Sequence, residues 1–213
     1  MNLSSESDCE PPGGSPWNIE FNLEDLALPT QSGPTQSGSE DSSAGDDLDI
    51  AWETWQHQLA ASARVDLPLL ENAISQTLAL HELQSAEISV AIVSGPTMRR
   101  LNQQYLDHDF DTDVLSFCLS EPEDEKLLAQ LIVSIDYAKQ QAETLSSHAK
   151  QAISANDELC LYLVHGTLHT LGYDDHEEQD RAEMRQAERD VLARMNMVPY
   201  WPSTSEDAAG GGS

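Results

Sequence analysis

Two histidines stand four residues apart in the segment 164–178, which reads VHGTLHTLGYDDHEE. On a helix, His165 and His169 lie on one face about one turn apart, so their ring nitrogens can reach one metal ion at roughly 2 Å each. Gly172 follows, and glycine readily adopts the left-handed conformation that ends a helix and turns the chain back. His176 then brings a third imidazole. The pattern predicts a metal site on a helix and on the turn that follows it.

The third ligand of this site has two candidates, because Asp175 reaches the same turn as His176. We expect His176, since imidazole is the better partner for zinc. Three imidazoles suit zinc and leave one position for water, whose pKa can then fall from about 16 to about 7. The spacing therefore predicts a hydrolase with one zinc ion per chain. A carboxylate from Asp174 or Asp175 as a fourth ligand would instead make the site structural.

Apolar periodicity predicts the elements that must position these residues. In chain order they are a helix over 67–80, a strand over 87–93, a helix over 94–105, strands over 112–119 and 130–135, and helices over 136–149, 156–171 and 176–195. An acidic loop joins the two consecutive strands, which favours an antiparallel pair. Asp136 is expected to cap the helix that follows it. The order predicts an α+β domain with a small mixed sheet covered by helices.

Charge and composition divide the chain into three parts. The formal net charge is −28, and residues 1–50 contain 11 acidic residues and no lysine or arginine. Residues 1–50 are therefore predicted to be a disordered acidic region, residues 51–200 the zinc-dependent hydrolase domain, and residues 201–213 a flexible tail. The apolar patch 17–28 is the exception and could be a short binding motif.

The acidic balance also excludes some classes of protein. A strongly negative chain argues against a generic polyanion-binding or membrane-surface protein. There is no secretory signal pattern and no apolar run near the ~20 residues that span a bilayer. The three cysteines are widely spaced, which favours a reducing compartment. We therefore expect a cytoplasmic protein without membrane contact.

The histidine segment is similar to the signature of the YbeY family of bacterial metallo-endoribonucleases, His-Gly-x-Leu-His-x-x-Gly-Tyr-Asp-His. It stands here as HGTLHTLGYD over 165–174, followed by Asp175 and His176. Further matches are LNQQY over 101–105, TDVLSF over 112–117, IVS over 132–134, and the spaced Met184 and Glu188. The resemblance covers roughly residues 65–195.

This resemblance implies an enzyme that cuts single-stranded RNA, with ribosomal RNA and the ribosome as partners. It would act in ribosome quality control and in maturing the 3′ end of small-subunit ribosomal RNA. Asp113 and Ser116 belong to the second matching block and are candidates for catalysis. Cations should contact the phosphates. The candidates are Arg99 and Arg100 on one predicted helix and Arg181, Arg185 and Arg189 on another, where they also fit a solvated face.

The chain departs from the family pattern at three places. Asp175 holds the position ten residues after the first histidine, where the family has its third histidine. Leu106 stands where the family usually has an arginine, and 129–130 reads Ala-Gln instead of Gly-Asp or Gly-Glu. Two other functions are therefore kept open. One is a zinc peptidase or amidase, which Gly166 disfavours because peptidases of the His-Glu-x-x-His type need glutamate there. The other is a non-catalytic ribosome-assembly protein with structural zinc.

Overall fold

The computed structural model of the protein describes residues 16–23, 63–107, 109–121, 123–148 and 152–199. These residues form one four-stranded sheet and five helices. The strands are β1 (Trp17–Asn22), β2 (Ala86–Val93), β3 (Val114–Cys118) and β4 (Leu127–Ser134), and the helices are α1 (Leu67–Leu80), α2 (Gly95–Leu106), α3 (Ile135–His148), α4 (Ala155–Thr170) and α5 (Glu178–Arg194). The predicted mixed α+β fold is confirmed.

The sheet has the strand order β1-β2-β4-β3. The strand β2 pairs in parallel with both β1 and β4, and β3 pairs antiparallel with β4. The antiparallel pair expected across the acidic loop is therefore confirmed, and it leaves β3 at one edge of the sheet.

Helices cover both faces of this sheet. Alternate residues of each strand point to opposite sides, so each strand contributes side chains to two cores. Along β4, Leu131 and Val133 enter the larger core with buried residues of α1, α4 and α5. Ile132 points the other way, into a smaller cluster with Met98 of α2 and Leu115 of β3. The larger core thus fixes α4, the helix that carries the histidine pair, against the sheet. Among the helices within the described ranges, none is long and apolar enough to cross a membrane.

The fold adds to one sequence expectation and corrects another. Residues 17–22, in the apolar patch that stands out from the acidic region, pair along their whole length with β2, and the Trp17 indole N–H donates to the Leu83 carbonyl at 3.3 Å. Asp136 does not cap its own helix. Its Oδ2 accepts from the backbone N–H of Gly95 at 2.9 Å, at the start of α2, while Ser134 Oγ accepts from the Tyr137 N–H in α3. Residues 1–15, 24–62 and 200–213 lie outside the described residues.

Candidate metal centre

The helix α4 begins with a reciprocal cap. The Ser154 hydroxyl accepts from the backbone N–H of Asp157 at 3.2 Å, and the Asp157 carboxylate accepts from the backbone N–H of Ser154 at 2.7 Å. Such a capping box satisfies two donors at the helix start. The helix then runs through the core, where Leu159, Leu163 and Leu168 are fully buried. Both histidines are therefore held on a rigid element.

The helix ends at the predicted glycine. Gly172 has a φ of +93°, and the N–H of Tyr173 donates to the Leu168 carbonyl at 3.1 Å. This is the closing pattern of a helix with a left-handed terminal residue. The turn is also anchored to α1, since the Tyr173 hydroxyl hydrogen-bonds His81 Nε2 at 3.1 Å. The segment 173–176 is thereby turned back toward the histidines.

The two histidines of α4 face each other. The Nε2 atoms of His165 and His169 are 3.0 Å apart, and the rings are nearly perpendicular, with an interplanar angle of 88°. Two nitrogens bound to one tetrahedral zinc ion at about 2.0–2.1 Å would be separated by roughly 3.3 Å. The pair is already spaced for a shared ion.

Each histidine is fixed by the nitrogen that faces away from its neighbour. His165 Nδ1 lies 2.7 Å from Glu188 Oε1, and His169 Nδ1 lies 3.0 Å from the Tyr173 carbonyl oxygen. Both acceptors require Nδ1 to carry the proton, which leaves Nε2 with a lone pair when the ring is neutral. Metal-ligating histidines are held in this way.

The family resemblance includes Glu188 in its spacing but implies no role for it. The side chain of Glu188 is 4% exposed and lies on the buried face of α5 with Met184, Val191 and Leu192. A carboxylate at a buried position of a helix needs a partner. The position of Glu188 among the apolar residues of α5 is therefore the feature of the sequence that could have indicated its role.

The structure brings Asp175, and not His176, to the histidine pair. Ligand atoms of His165, His169 and Asp175 lie within 4.8 Å of one another, and Asp175 Oδ2 is 3.9 Å from His165 Nε2. The side chain of His176 is 85% exposed, and its Nε2 is 3.7 Å from Asp174 Oδ1. His176 is grouped only with Asp174 and Asp175, on the outer side of the turn.

Asp174 shapes the turn that produces this arrangement. Its Oδ1 accepts from the backbone N–H groups of Asp175 at 2.7 Å and of His176 at 3.2 Å. These backbone hydrogen bonds hold the pKa of the Asp174 carboxyl below its usual value. With Asp174 engaged in this way, the turn brings Asp175 close to both histidines, while the more exposed His176 lines the outer part of the site.

The converging atoms fit a cation. Three acceptors (two Nε2 lone pairs and a carboxylate oxygen) point at one space, and they repel one another unless a proton or a metal ion lies between them. Two imidazoles and one carboxylate are ordinary ligands for zinc and other transition metals. The group could therefore bind a metal ion.

A proton can take part of this role when no metal is bound. Burial opposes the charged form of His165, but the hydrogen bond and charge of Glu188, with smaller contributions from Asp113 and Asp175, outweigh burial and raise the pKa of His165. Metal binding must displace that proton.

Two cavities meet at the histidines. The outer cavity, of about 540 Å³, is lined by β3 together with His165, His169, Asp175 and His176. The inner cavity, of about 390 Å³, lies between α3, α4 and α5 and shares His165 and Asp175 with the outer one. Asp113 lines both cavities, and Ser116 lines the outer one. The two residues singled out in the family block therefore lie beside the metal group.

The arginines are placed unequally. Arg99 is paired with Asp109 at 2.7 Å, and Arg100 contacts Thr97, so neither lines the two cavities at the histidines. Arg181 and Arg185 do line the inner cavity. Arg189 is turned along α5 and donates to Gln186 at 2.9 Å.

A buried polar pair at the inner cavity was not anticipated from the sequence. Glu158 and Tyr162 are each 5% exposed, and the Tyr162 hydroxyl lies 3.1 Å from Glu158 Oε2. Burial raises the pKa of the Glu158 carboxyl despite this hydrogen bond, and burial also raises the pKa of Tyr162. The spacing of four on α4 was visible, but no pattern showed that this face borders a cavity.

Comparison with known proteins agrees with the family resemblance. The family model described as endoribonuclease YbeY matches residues 52–196. The endoribonuclease YbeY of Desulfitobacterium hafniense (strain Y51) is 35% identical over 162 residues, which is 71% of this chain and 98% of that protein. The one from Sulfurovum sp. (strain NBC37-1) is 37% identical over 138 residues, covering 62% of this chain and 84% of that protein. With its histidine pair, its helix-ending glycine and these matches, the chain belongs to the YbeY family of endoribonucleases.

Proposed function

We propose that this protein is a zinc-dependent endoribonuclease that cleaves single-stranded RNA. Its role would be ribosome quality control and maturation of the 3′ end of small-subunit ribosomal RNA. The observation that carries the proposal is the convergence of His165, His169 and Asp175 at the junction of two cavities. The family membership supports the RNA substrate.

The proposed ligand set is His165, His169 and Asp175, in place of the three histidines expected from the sequence. The support is the inward position of Asp175 and the 85% exposure of the His176 side chain. Within the described residues, this group has three members and no fourth protein ligand. Three ligands leave a position for substrate, which favours a catalytic ion over a structural one.

Zinc bound there would supply Lewis-acid chemistry, polarising a phosphoryl oxygen and making water more acidic. The chain's own residues do the rest. Glu188 and the Tyr173 carbonyl orient the two imidazoles. Asp113, which lines both cavities, is the proposed proton acceptor for the attacking water. Arg181 and Arg185 are the proposed phosphate-binding cations. They would take over the role of the arginine that the family usually has at the position of Leu106.

A peptidase mechanism gains no support from position 166. A Cβ atom built on Gly166 would lie 2.9 Å from Val114 Cγ2. A glutamate side chain would therefore meet β3 instead of the metal group. The usual general base of zinc peptidases has no room at this position.

Zinc content and RNA cleavage test the proposal in a matched pair of variants, Asp175→Asn and His176→Asn. The two residues are neighbours in the same turn, so each variant controls for the other. We expect about one zinc per chain and cleavage of a single-stranded ribosomal RNA fragment in the wild type and in His176→Asn. We expect both to be lost in Asp175→Asn. A duplex of the same sequence should resist cleavage.

The opposite pattern, with zinc lost only in His176→Asn, would restore the three-histidine ligand set. Stoichiometric zinc without cleavage of RNA would favour the non-catalytic assembly protein. Cleavage of a peptide panel in place of RNA would favour the peptidase or amidase.

A further inference from the structure

The inner cavity is more than an extension of the metal centre. One face of α4 runs along it, and this face carries Glu158, Tyr162 and His165 in succession. At 1.5 Å per residue, the sequence separation of seven from the first to the last corresponds to about 10 Å. The cavity therefore reaches from the metal centre to a buried polar pair, and its volume of about 390 Å³ is within the range of small-molecule sites.

The far end of the cavity offers hydrogen-bonding groups that the metal chemistry does not use. Glu158 is 5% exposed, and the one hydrogen bond that it receives among the described side chains comes from Tyr162. Gln141 of α3 lines the same cavity one turn after Tyr137, and its side chain hydrogen-bonds that tyrosine. A carboxyl group and an amide together can donate and accept, as the edge of a nucleobase requires.

The walls of the cavity suit a flat ring. The rings of Tyr137 and Tyr162 lie 6.0 Å apart at an angle of 56°, and Leu161 and Met184 line the same space. Bases pack on tyrosine rings in many proteins that bind single strands, because every base has an aromatic face.

The wall formed by α5 adds a cation. Arg185 is half-buried, lines the cavity and makes no ion pair within the described residues. A phosphate attached to the bound nucleoside would give this guanidinium an acceptor.

We propose that the inner cavity binds one nucleoside of the RNA, next to the phosphodiester held at the metal centre. Tyr137 and Tyr162 contact the base, Gln141 and Glu158 bond its edge, and Arg185 binds the adjoining phosphate. The inference rests on the proposed function, because it places the cavity beside the cleaved bond. It makes the cavity the part of the enzyme that selects the nucleotide at the cleavage site.

Binding of AMP, CMP, GMP and UMP to the full chain tests this assignment, by calorimetry with and without zinc. The test variant is Gln141→Leu. The matched control is Gln140→Leu, because Gln140 is the preceding residue of the same helix, is exposed and lies outside the cavity. We expect at least one mononucleotide to bind the wild type. The same mononucleotide should bind Gln141→Leu about tenfold more weakly, because a hydrogen bond to the base is lost. Its affinity for Gln140→Leu should equal that for the wild type.

The cleavage reaction gives a second readout. Gln141→Leu should retain its zinc while KM for RNA rises or the base preference at the cut changes, and Gln140→Leu should match the wild type. If no mononucleotide binds, or if both variants bind equally well, the cavity is not a nucleoside site, even when RNA is cleaved. If the binding pattern appears without any RNA cleavage, the nucleoside site stands and the proposed function is wrong.

Discussion

Gly166 controls how closely the metal-bearing helix approaches the sheet, and its replacement by alanine is the sharpest structural test. A Cβ atom at this position would lie 2.9 Å from Val114 Cγ2 and 3.3 Å from Leu131 Cδ2. Carbon atoms in good contact are about 3.5–4.0 Å apart. Valine cannot rotate away easily because it is branched at Cβ. The helix or the strand β3 must therefore move by several tenths of an ångström.

Two opposing contributions set the magnitude. Overpacking a core position costs about 1–3 kcal/mol. Alanine in place of glycine inside a helix returns about 1 kcal/mol. We expect Gly166→Ala to lower the free energy of unfolding by about 1–2 kcal/mol, because the closest contact is to a stiff side chain. The shift should also slow RNA cleavage, since it moves His165 and His169 away from Asp113, the proposed proton acceptor.

The assay is equilibrium unfolding in urea of the metal-free protein, with Val114→Ala and the double variant alongside. Removing Cγ2 of Val114 makes room for the new methyl group. In the Val114→Ala background, Gly166→Ala should therefore be neutral or stabilising by up to about 1 kcal/mol. The reasoning would be refuted if Gly166→Ala raised the stability of the otherwise wild-type chain.

Three further substitutions test the framework of the site. Glu188→Gln removes the charge that orients His165, so zinc affinity should fall about 10–100-fold in a competition titration. The pKa of His165 should also drop in an NMR titration of the metal-free protein. An unchanged zinc affinity would contradict the orienting role. Ser154→Ala removes the cap of α4 and should lower the free energy of unfolding by about 1 kcal/mol in urea, and a loss near zero would show that the cap is dispensable. Glu158→Gln should alter the pH dependence of stability: a folded-state pKa raised above the ordinary 4.5 means that the wild type loses stability as pH rises from about 4.5 through the raised value. As pH rises over that range, the urea midpoint of the variant should therefore increase relative to that of the wild type. A difference in midpoint that does not change with pH would disprove the raised pKa.

The periodic elements were predictable from the sequence, because the core covers them on a regular face. The helix over 67–80 has the predicted bounds, and the other predicted helices and strands shift by three residues at most. The strand β1 was not predicted. Trp17, Ile19 and Phe21 alternate as a strand requires, but they stand in an acidic, serine-rich region, and their partner β2 is distant in the chain. Parallel pairing over such a separation leaves no local signal.

The candidate site was predictable to the level of its helix. Periodicity placed His165 and His169 on one face, and the glycine rule placed the turn. The closeness of Asp175 to the histidines depends on where the turn directs its side chain, and the backbone hydrogen bonds to Asp174 shape that turn. Asp136 shows the same limit, because its carboxylate accepts from the backbone N–H of Gly95 at the start of a neighbouring helix.

The strand order also makes the two edge strands of the sheet differ in the entropy cost of their pairing. One edge is β1, which pairs with β2 although residues 23–85 separate the two strands, so its closure costs more entropy than a short connection does. The other edge is β3, beside the histidines, and it is held by the short connection to β4. A transient opening that releases β1 would leave the β2-β4-β3 pairing and the capped α4 intact. Amide exchange at β1 can therefore be fast while the metal centre stays assembled, and ligand binding at one edge need not slow exchange at the other.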